Sequence, residues 1–181
     1  MKVFKNVDNI ILVNNYTALK AIKKEATKIG LKSIILSSIL EGEAREIGIV
    51  LSAILKEILL TSNPLKKPCV IIIGGETTVT IKGNGKGGRN QEVVLSALER
   101  ISGINGVVIV SAGSDGRDGI TDADGAICDG RSLTMAIKKQ LNPIDYLNNN
   151  NSYNFFKKIG DLLFTGPTGT NVGDIMLVVI L

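Results

Sequence analysis

Short apolar runs spaced along the chain constrain its fold more than any other feature of the sequence. They lie at residues 10–13, 33–36, 69–73, 107–110 and 175–180. Each run is too short for a helix, and strands with successive apolar side chains are buried on both faces of a sheet. Between several of them, apolar residues recur every three or four positions, as in amphipathic helices. The pattern predicts an α/β fold with a mostly parallel or mixed sheet and helices on both faces.

The first third of the chain has a β-α-β-α pattern. Its predicted elements are two strands and two helices in alternation, at residues 10–13, 19–29, 33–36 and 47–58. Glycine stops the first helix at Gly30, and a loop containing two prolines follows the second.

The remaining two thirds of the chain alternate between strands, glycine-rich loops and helices. Residues 69–73 and the alternating segment 77–82 predict two strands joined by a tight turn. Residues 111–130 are rich in acids and glycines, so we expect a long functional loop outside the core. The other predicted elements are a loop at 83–88, helices at 89–101, near 133–139, after Pro143 and after Ser152, and strands at 107–110, 162–165 and 175–180.

Composition excludes several classes of function. The 21 basic and 17 acidic residues are scattered, so a nucleic-acid-binding tail is not indicated, while the net charge of +4 favours an anionic metabolite. The chain contains no histidine, which excludes imidazole-based general bases and triads and most zinc sites. Any chemistry must therefore use carboxylates, lysine, arginine, hydroxyls and backbone amides.

Cysteine usage and hydropathy indicate a cytoplasmic protein. Cys69 and Cys128 fit neither a metal-ligand nor a redox spacing, so we interpret both as free thiols of a reducing compartment. Residues 1–5 lack the apolar core of a signal peptide, and no apolar run is long enough to cross a bilayer. We expect no membrane contact. The oligomeric state stays open, including a homo-oligomer.

The loop before the helix at 89–101 is the first candidate binding site. Gly87 and Gly88 stand with Lys86 and Arg89 at a helix start, where unpaired amides and the helix dipole favour an anion such as phosphate or carboxylate. Arg89 can hold such a group bidentately or stabilise charge in a transition state. The alternatives are a flexible connection and a surface pair between Arg89 and Glu92.

Three further segments carry candidate side chains. The long loop offers oxygen ligands for Mg²⁺ or a proton acceptor for a hydroxyl, at Asp115, Asp118, Asp122, Asp124 and Asp129. Of these, we select Asp115 and Asp122 as metal ligands and Asp115 as a catalytic residue. Glu76 follows a buried strand, where a carboxylate is costly unless it faces a site or a cation. The predicted anion-binding loop at 166–171 contributes Thr168, Gly169, Thr170 and Asn171. The alternatives are turn-forming acids, an exposed turn glutamate and a self-stabilised Asx or threonine turn.

These loops should meet at one end of the sheet. Ligands of α/β sheets bind beyond the carboxyl ends of strands, and each loop either follows a strand or opens a helix.

Five ordered sequence blocks resemble a known family. They are GGETTVT at 74–80, GGRNQE at 87–92, SDGRDG at 114–119, TDADGA at 121–126 and TGPTGTN at 165–171. Together they look like the signature of the MOFRL domain, the C-terminal part of class II glycerate 2-kinases, which are often labelled hydroxypyruvate reductases. On this resemblance residues 67–181 form the signature region, residues 1–66 form its β-α-β-α lead-in, and the N-terminal Rossmann-like kinase domain is absent.

The resemblance implies phosphorylation of glycerate at its 2-hydroxyl, with ATP and Mg²⁺, in a cleft between two domains. By matching positions, Arg89 corresponds to the family's cleft arginine, and Glu76, Asn90, Asp115 and Thr168 line the same face. Family members carry an essential lysine on the part that is absent here, which implies a separately encoded N-terminal partner. Two alternatives stay open: a stand-alone anion-binding domain or inactive remnant, and, more weakly, a reductase, for which no dinucleotide fingerprint is visible.

Overall fold

The fold is known from a computed structural model that describes residues 7–8 and 10–181. Residues 1–5, from which we argue the absence of a signal peptide, lie outside the described part. The helices are α1 Asn15–Lys28, α2 Ala44–Thr61, α3 Arg89–Leu98, α4 Ser132–Lys138, α5 Pro143–Asn148 and α6 Ser152–Ile159, with a 3₁₀ turn at Glu99–Ile101. The strands are β1 Lys32–Glu43, β2 Cys69–Thr78, β3 Val107–Gly113, β4 Gly125–Asp129, β5 Leu162–Leu163 and β6 Asp174–Ile180.

The six described strands form one sheet in the order β1-β2-β6-β3-β4-β5. Strands β1 and β2 pair in parallel, and the other four pairings are antiparallel. The predicted mixed sheet is confirmed, but the mostly parallel version is wrong. Apolar runs indicate burial on both faces of a strand and carry no information about its direction, and β6 inserts antiparallel between β2 and β3.

Helices cover both faces of the sheet, as predicted. On one face, Ile71 and Ile73 of β2 and Val178 of β6 belong to a large apolar core that also contains α2, α3 and α6. On the other face, Val70 and Ile72 pack against α1 in a smaller core. This two-sided burial explains why β2 is apolar at five successive positions.

The predicted first strand is not formed. Residues 10–13 lie outside any helix or strand, and Ile10, Ile11 and Leu12 are each more than three-quarters exposed. The lead-in is therefore α-β-α rather than β-α-β-α. A short apolar run indicates a tendency to be buried, but a strand also needs a neighbour with which to pair.

The predicted turn at residues 74–76 is also wrong, because β2 continues through them to Thr78. Close packing explains the two glycines. A Cβ at Gly74 would lie 1.9 Å from the side chain of Asn15, and one at Gly75 would lie 2.0 Å from the backbone oxygen of Leu40. The glycines thus let α1 and β1 approach the strand.

The expectation that residues 111–130 lie outside the core needs a similar correction. Residues 125–129 form strand β4, and Asp118, Thr121 and Asp124 are buried before it. Backbone amides donate to both buried acids, to Asp118 from Asn90 and Gln91 and to Asp124 from Thr165, and these contacts between distant segments do not show in a count of polar residues.

None of the described helices has both the length and the apolar character needed to cross a bilayer.

Candidate active-site cleft

Three strands bring the predicted loops to one end of the sheet. Asp174, the first residue of β6, pairs with Gly75 near the end of β2 and with Gly113 at the end of β3. The N-terminus of α3 lies against the same place. The expectation that the glycine-rich loops share one end of the sheet is therefore confirmed.

Arg89 occupies the centre of this end. It is the first residue of α3, and its Nε and Nη2 donate to the two carboxylate oxygens of Asp174 at 2.7 and 3.0 Å. Its Nη1 lies 3.0 Å from Oε1 of Glu76. The Asp174 side chain is 0% exposed, that of Arg89 36% and that of Glu76 67%. The guanidinium is thus anchored on its inner edge and reaches solvent on its outer edge.

A buried polar network supports this anchor. Nδ2 of Asn90 donates to Asp174 at 3.0 Å and to Asp118 at 3.3 Å, and its Oδ1 accepts from the Ser111 hydroxyl at 2.5 Å. Asp118 also accepts from the backbone amides of Asn90 and Gln91, at 3.1 and 2.8 Å. The anion that these amides of α3 hold is therefore a carboxylate of the chain itself.

The charges in this network alter one another's titration. Burial is the main cause that raises the pKa of Asp118 to about 6, and the neighbouring Asp174 adds to it, while hydrogen bonds from α3 oppose it. The hydrogen bond to Asp174 raises the pKa of Arg89 above its usual range. Arg89 consequently stays charged, whereas Asp118 gains a proton under mildly acidic conditions.

The glycine-rich loop at 83–88 packs tightly against residues 149–152. Asn150 Oδ1 accepts from the amides of Lys82 and Gly83 at 2.7 and 3.0 Å, and the Asn149 carbonyl accepts from Gly85 at 2.9 Å. A Cβ at Gly85 would lie 2.4 Å from that carbonyl oxygen. These glycines are required by close approach within the chain.

A cleft of about 530 Å³ opens beside this loop. Glu76, Gly87, Gly88 and Arg89 contribute polar groups and backbone to its lining, and the side chains of Val79, Ile81 and Ile120 make much of the wall apolar. A concave, largely apolar space with a few convergent polar groups is typical of small-molecule sites. Among the residues that line it, Arg89 is the sole cation.

The loop at 166–171 lies against the turn at 114–116, beside this cleft. The Thr168 hydroxyl donates to the Ser114 carbonyl at 2.5 Å, its amide donates to the Asp115 carbonyl at 3.4 Å, and the Asn171 side chain accepts from Gly173. Thr168, Gly169, Thr170 and Asn171 are exposed, and none of them lines the cleft with Arg89. Their predicted roles in binding stay predictions.

The two predicted metal ligands make different contacts. Asp115 is exposed, and its Oδ1 accepts from the amide of Arg117 at 3.1 Å. Asp122 is exposed, and hydrogen bonding with the Tyr153 hydroxyl lowers the pKa of Asp122. In the described part of the chain, no group of three or more acidic or thiol side chains is placed to bind a metal ion. A metal cage made by these residues alone is therefore absent, and the metal role of Asp115 and Asp122 stays a prediction.

Sequence reasoning missed the roles of Asp174 and Asp118. Asp174 directly precedes the last predicted strand, at 175–180. The argument applied to Glu76, that a carboxylate beside a buried strand needs a cation, would have found it. Asp118 offers no such signal, because a helix cap that lies 28 residues from its helix leaves no local pattern. Glu92 pairs with Arg45 at 3.2 Å rather than with Arg89.

Comparisons with known proteins place the chain in a family. D-Glycerate 2-kinase from Thermotoga maritima is 46% identical over 176 residues, which cover 97% of this chain and 42% of that protein. Glycerate 2-kinase from Pyrococcus horikoshii is 44% identical, covering 97% and 40%. The crystal structure of the Thermotoga maritima glycerate kinase matches with a TM-score of 0.95 at 46% identity, over 98% of this chain and 43% of that one.

The chain thus spans about two fifths of the length of these relatives. Residues 69–174, which include the cleft arginine and its buried carboxylate, match the MOFRL family. Since this match takes in more than half of the described residues, the chain belongs to the MOFRL family.

Proposed function

We propose that this chain supplies one wall of a glycerate kinase cleft, in which the phosphoryl group of ATP is transferred to the 2-hydroxyl of glycerate to give 2-phosphoglycerate. The relatives from Thermotoga maritima and Pyrococcus horikoshii, which match almost the whole chain, are named as glycerate kinases. The observation that carries the proposal is Arg89, a guanidinium anchored by Asp174 with its outer edge turned to the cleft.

The chemistry of Arg89 fits this role. Phosphoryl transfer asks a protein mainly to align donor and acceptor and to stabilise negative charge that spreads over the transferring group. The outer edge of the Arg89 guanidinium retains N–H donors for a phosphoryl or carboxylate oxygen, because Asp174 engages only two of the five. Its raised pKa keeps the positive charge through the reaction.

The same cleft is incomplete for this reaction by itself. One arginine is the sole cation among its lining residues, and Glu76 adds a negative charge 3.0 Å from that arginine. A nucleoside triphosphate needs more positive charge than this. The proposal therefore includes a second wall, an N-terminal kinase domain that carries the lysine expected from the family, as a partner of this chain.

Magnesium enters the proposal with the nucleotide. In kinases Mg²⁺ is bound mainly by phosphate oxygens with one or two carboxylates, so a protein cage is not needed. Asp115 and Asp122 remain the candidate carboxylates of this chain, and both are exposed. We assign no reaction step to the metal.

The test is a grafted enzyme, in which this chain replaces the matching part of the Thermotoga maritima relative. We expect ATP-dependent turnover of D-glycerate by the grafted enzyme and none by this chain alone. Arg89→Ala should lower turnover about a hundredfold or more, comparable to the loss of one charge-stabilising donor. Arg89→Lys, which keeps the charge and loses the planar fork, is the matched control and should retain more activity.

Two outcomes would contradict the proposal. Turnover by the chain alone would show that the second wall is not needed. Unchanged turnover in grafted Arg89→Ala would remove Arg89 from the reaction. A folded grafted enzyme without turnover that still binds glycerate or phosphate would instead favour a stand-alone anion-binding domain.

A further inference from the structure

We propose that Asp174 is a positioning residue for Arg89, which fixes the guanidinium so that one chosen edge faces the substrate. The inference rests on the proposed function and assigns a role to a residue that no sequence argument had marked. Its basis is the geometry of the buried carboxylate and of the three strands around it.

Asp174 is wholly buried and is held between two neighbouring strands. It is 0% exposed, and as the first residue of β6 it pairs with Gly75 of β2 on one side and Gly113 of β3 on the other. Asn15 of α1 donates to its backbone carbonyl at 2.9 Å. The backbone that carries the carboxylate is therefore fixed by two strands and one helix.

The side chain of Asp174 engages Arg89 on one particular edge. Its oxygens accept from Nε at 2.7 Å and from Nη2 at 3.0 Å, a bidentate contact that sets the plane of the guanidinium. Asn90 donates to Oδ1 at 3.0 Å and so prevents the carboxylate from rotating. Three N–H groups, two on Nη1 and one on Nη2, remain for the cleft.

Only the Asp174 side of this ion pair is fully buried, and the cost of removing that carboxylate from water offsets much of the attraction to Arg89. The pair is therefore weak evidence for stability. Arg89 is partly exposed and belongs to a wall that lines a cleft, whereas Asp174 is wholly buried. The pair restricts a long, flexible side chain to one conformation before a ligand arrives, which lowers the entropy cost of binding.

The anchored edge also defines how an anion must approach. An incoming phosphoryl or carboxylate oxygen meets Nη1 and Nη2 end-on, at the place where the exposed Glu76 carboxylate lies 3.0 Å from Nη1. The ligand therefore competes with Glu76 and not with Asp174.

The first test uses the whole chain and needs no turnover. In NMR spectra of the wild type, we expect the Arg89 Nε–H to exchange with water at least tenfold more slowly than that of Arg117, which is exposed. Asp174→Asn, an isosteric change, should abolish this protection. The Arg45 Nε–H, bonded to Glu92 at 3.3 Å, is an internal control that should stay unchanged if the fold is intact.

The second test is a double-mutant cycle in the grafted enzyme. We expect Asp174→Asn alone to lower kcat about tenfold. Since Asp174 acts through Arg89, the double variant should have the same kcat as Arg89→Ala alone. A purely structural role would instead multiply the two losses.

The outcomes separate this inference from the proposed function. The role of Asp174 is overturned if the wild-type Arg89 Nε–H exchanges as fast as that of Arg117, and this measurement decides even where Asp174→Asn does not fold. It is also overturned if the losses of kcat caused by Asp174→Asn and Arg89→Ala multiply in the double variant. If Arg89→Ala leaves turnover unchanged, the proposed function fails, while the exchange measurement still decides whether Asp174 holds the arginine.

Discussion

The two glycine-rich loops of this chain look alike in sequence and differ in the reason for their glycines. In the loop at 83–88, Gly85 and Gly88 are crowded, and an added Cβ would lie within 2.5 Å of neighbouring atoms. In the loop at 166–171, Gly166 and Gly169 have no neighbour within 4 Å of an added Cβ, and their φ angles are +71° and +73°. The first loop needs glycine for space, and the second needs it for backbone conformation.

Because of this difference, glycine content alone does not indicate that a loop binds a ligand. The amides of Asn90 and Gln91 in α3 donate to Asp118, and those of Lys82 and Gly83 donate to Asn150. These hydrogen bonds hold the first loop in place beside Arg89, and the predicted binding roles of Gly87 and Gly88 stay predictions. The second loop is exposed and makes mainly local hydrogen bonds.

The largest expected effect comes from Gly88→Ala. The φ of Gly88 is −149°, which any residue adopts, but a Cβ would lie 2.3 Å from Cγ of the buried Asp118. Overpacking and the loss of the helix cap together should lower the free energy of unfolding by about 3–4 kcal/mol. Urea denaturation measures this, and a loss below about 1 kcal/mol would refute the crowding.

A pH titration of stability should show the next largest effect, through Asp118. Its pKa rises from 3.8 in the unfolded chain to about 6 in the fold, so its ionisation opposes folding. Stability due to this group is full below about pH 4 and is lost as the pH rises through about 6, by about 3 kcal/mol in total. The free energy of unfolding of wild type minus that of Asp118→Asn should fall over this range. A flat difference would show that the Asp118 pKa is not raised.

Asn150→Gly tests how firmly the first loop is held. Asn150 has a φ of +50°, so glycine keeps the backbone conformation and removes only the side-chain hydrogen bonds to Lys82, Gly83, Thr80 and Glu92. We expect a loss of about 2 kcal/mol on thermal or urea unfolding. Gln140→Gly is the matched control, because Gln140 is exposed at a φ of +57° and should not lose stability.

Gly169→Ala should lower the free energy of unfolding the least, because it strains only the backbone conformation and creates no clash. A φ of +73° costs alanine about 1 kcal/mol, and no atom obstructs its Cβ. Gly169→Asn should cost less still, since asparagine tolerates this conformation. A loss as large as that of Gly88→Ala, measured by the same denaturation, would erase the distinction between the loops.

The sequence predicts some parts of this molecule well, for physical reasons. Helices α2 and α3 follow from apolar spacing, which is a local property of the chain. The alternation of strands and loops predicts that the candidate loops meet at one end of the sheet. Arg89 follows from its place at a helix start.

Other parts depend on contacts between distant segments. The direction of β6, the continuation of β2 through Gly74 and Gly75, and the exposed state of residues 10–13 are all set by which segments become neighbours. The pairing of Arg89 with Asp174 spans 85 residues and that of Arg45 with Glu92 spans 47. A local pattern cannot choose the partner of Arg89 among the acids near the start of α3, which are Glu76, Glu92, Asp118 and Asp174.

The two buried cysteines can report on transient local unfolding of the sheet. Cys69 begins β2 and Cys128 lies in β4, on either side of the strands β6 and β3, and both are buried free thiols. Burial raises the pKa of each thiol, which suppresses the reactive thiolate. An alkylating reagent should therefore modify each sulfur only during transient exposure, and the two modification rates would report separately how often each half of the sheet comes apart.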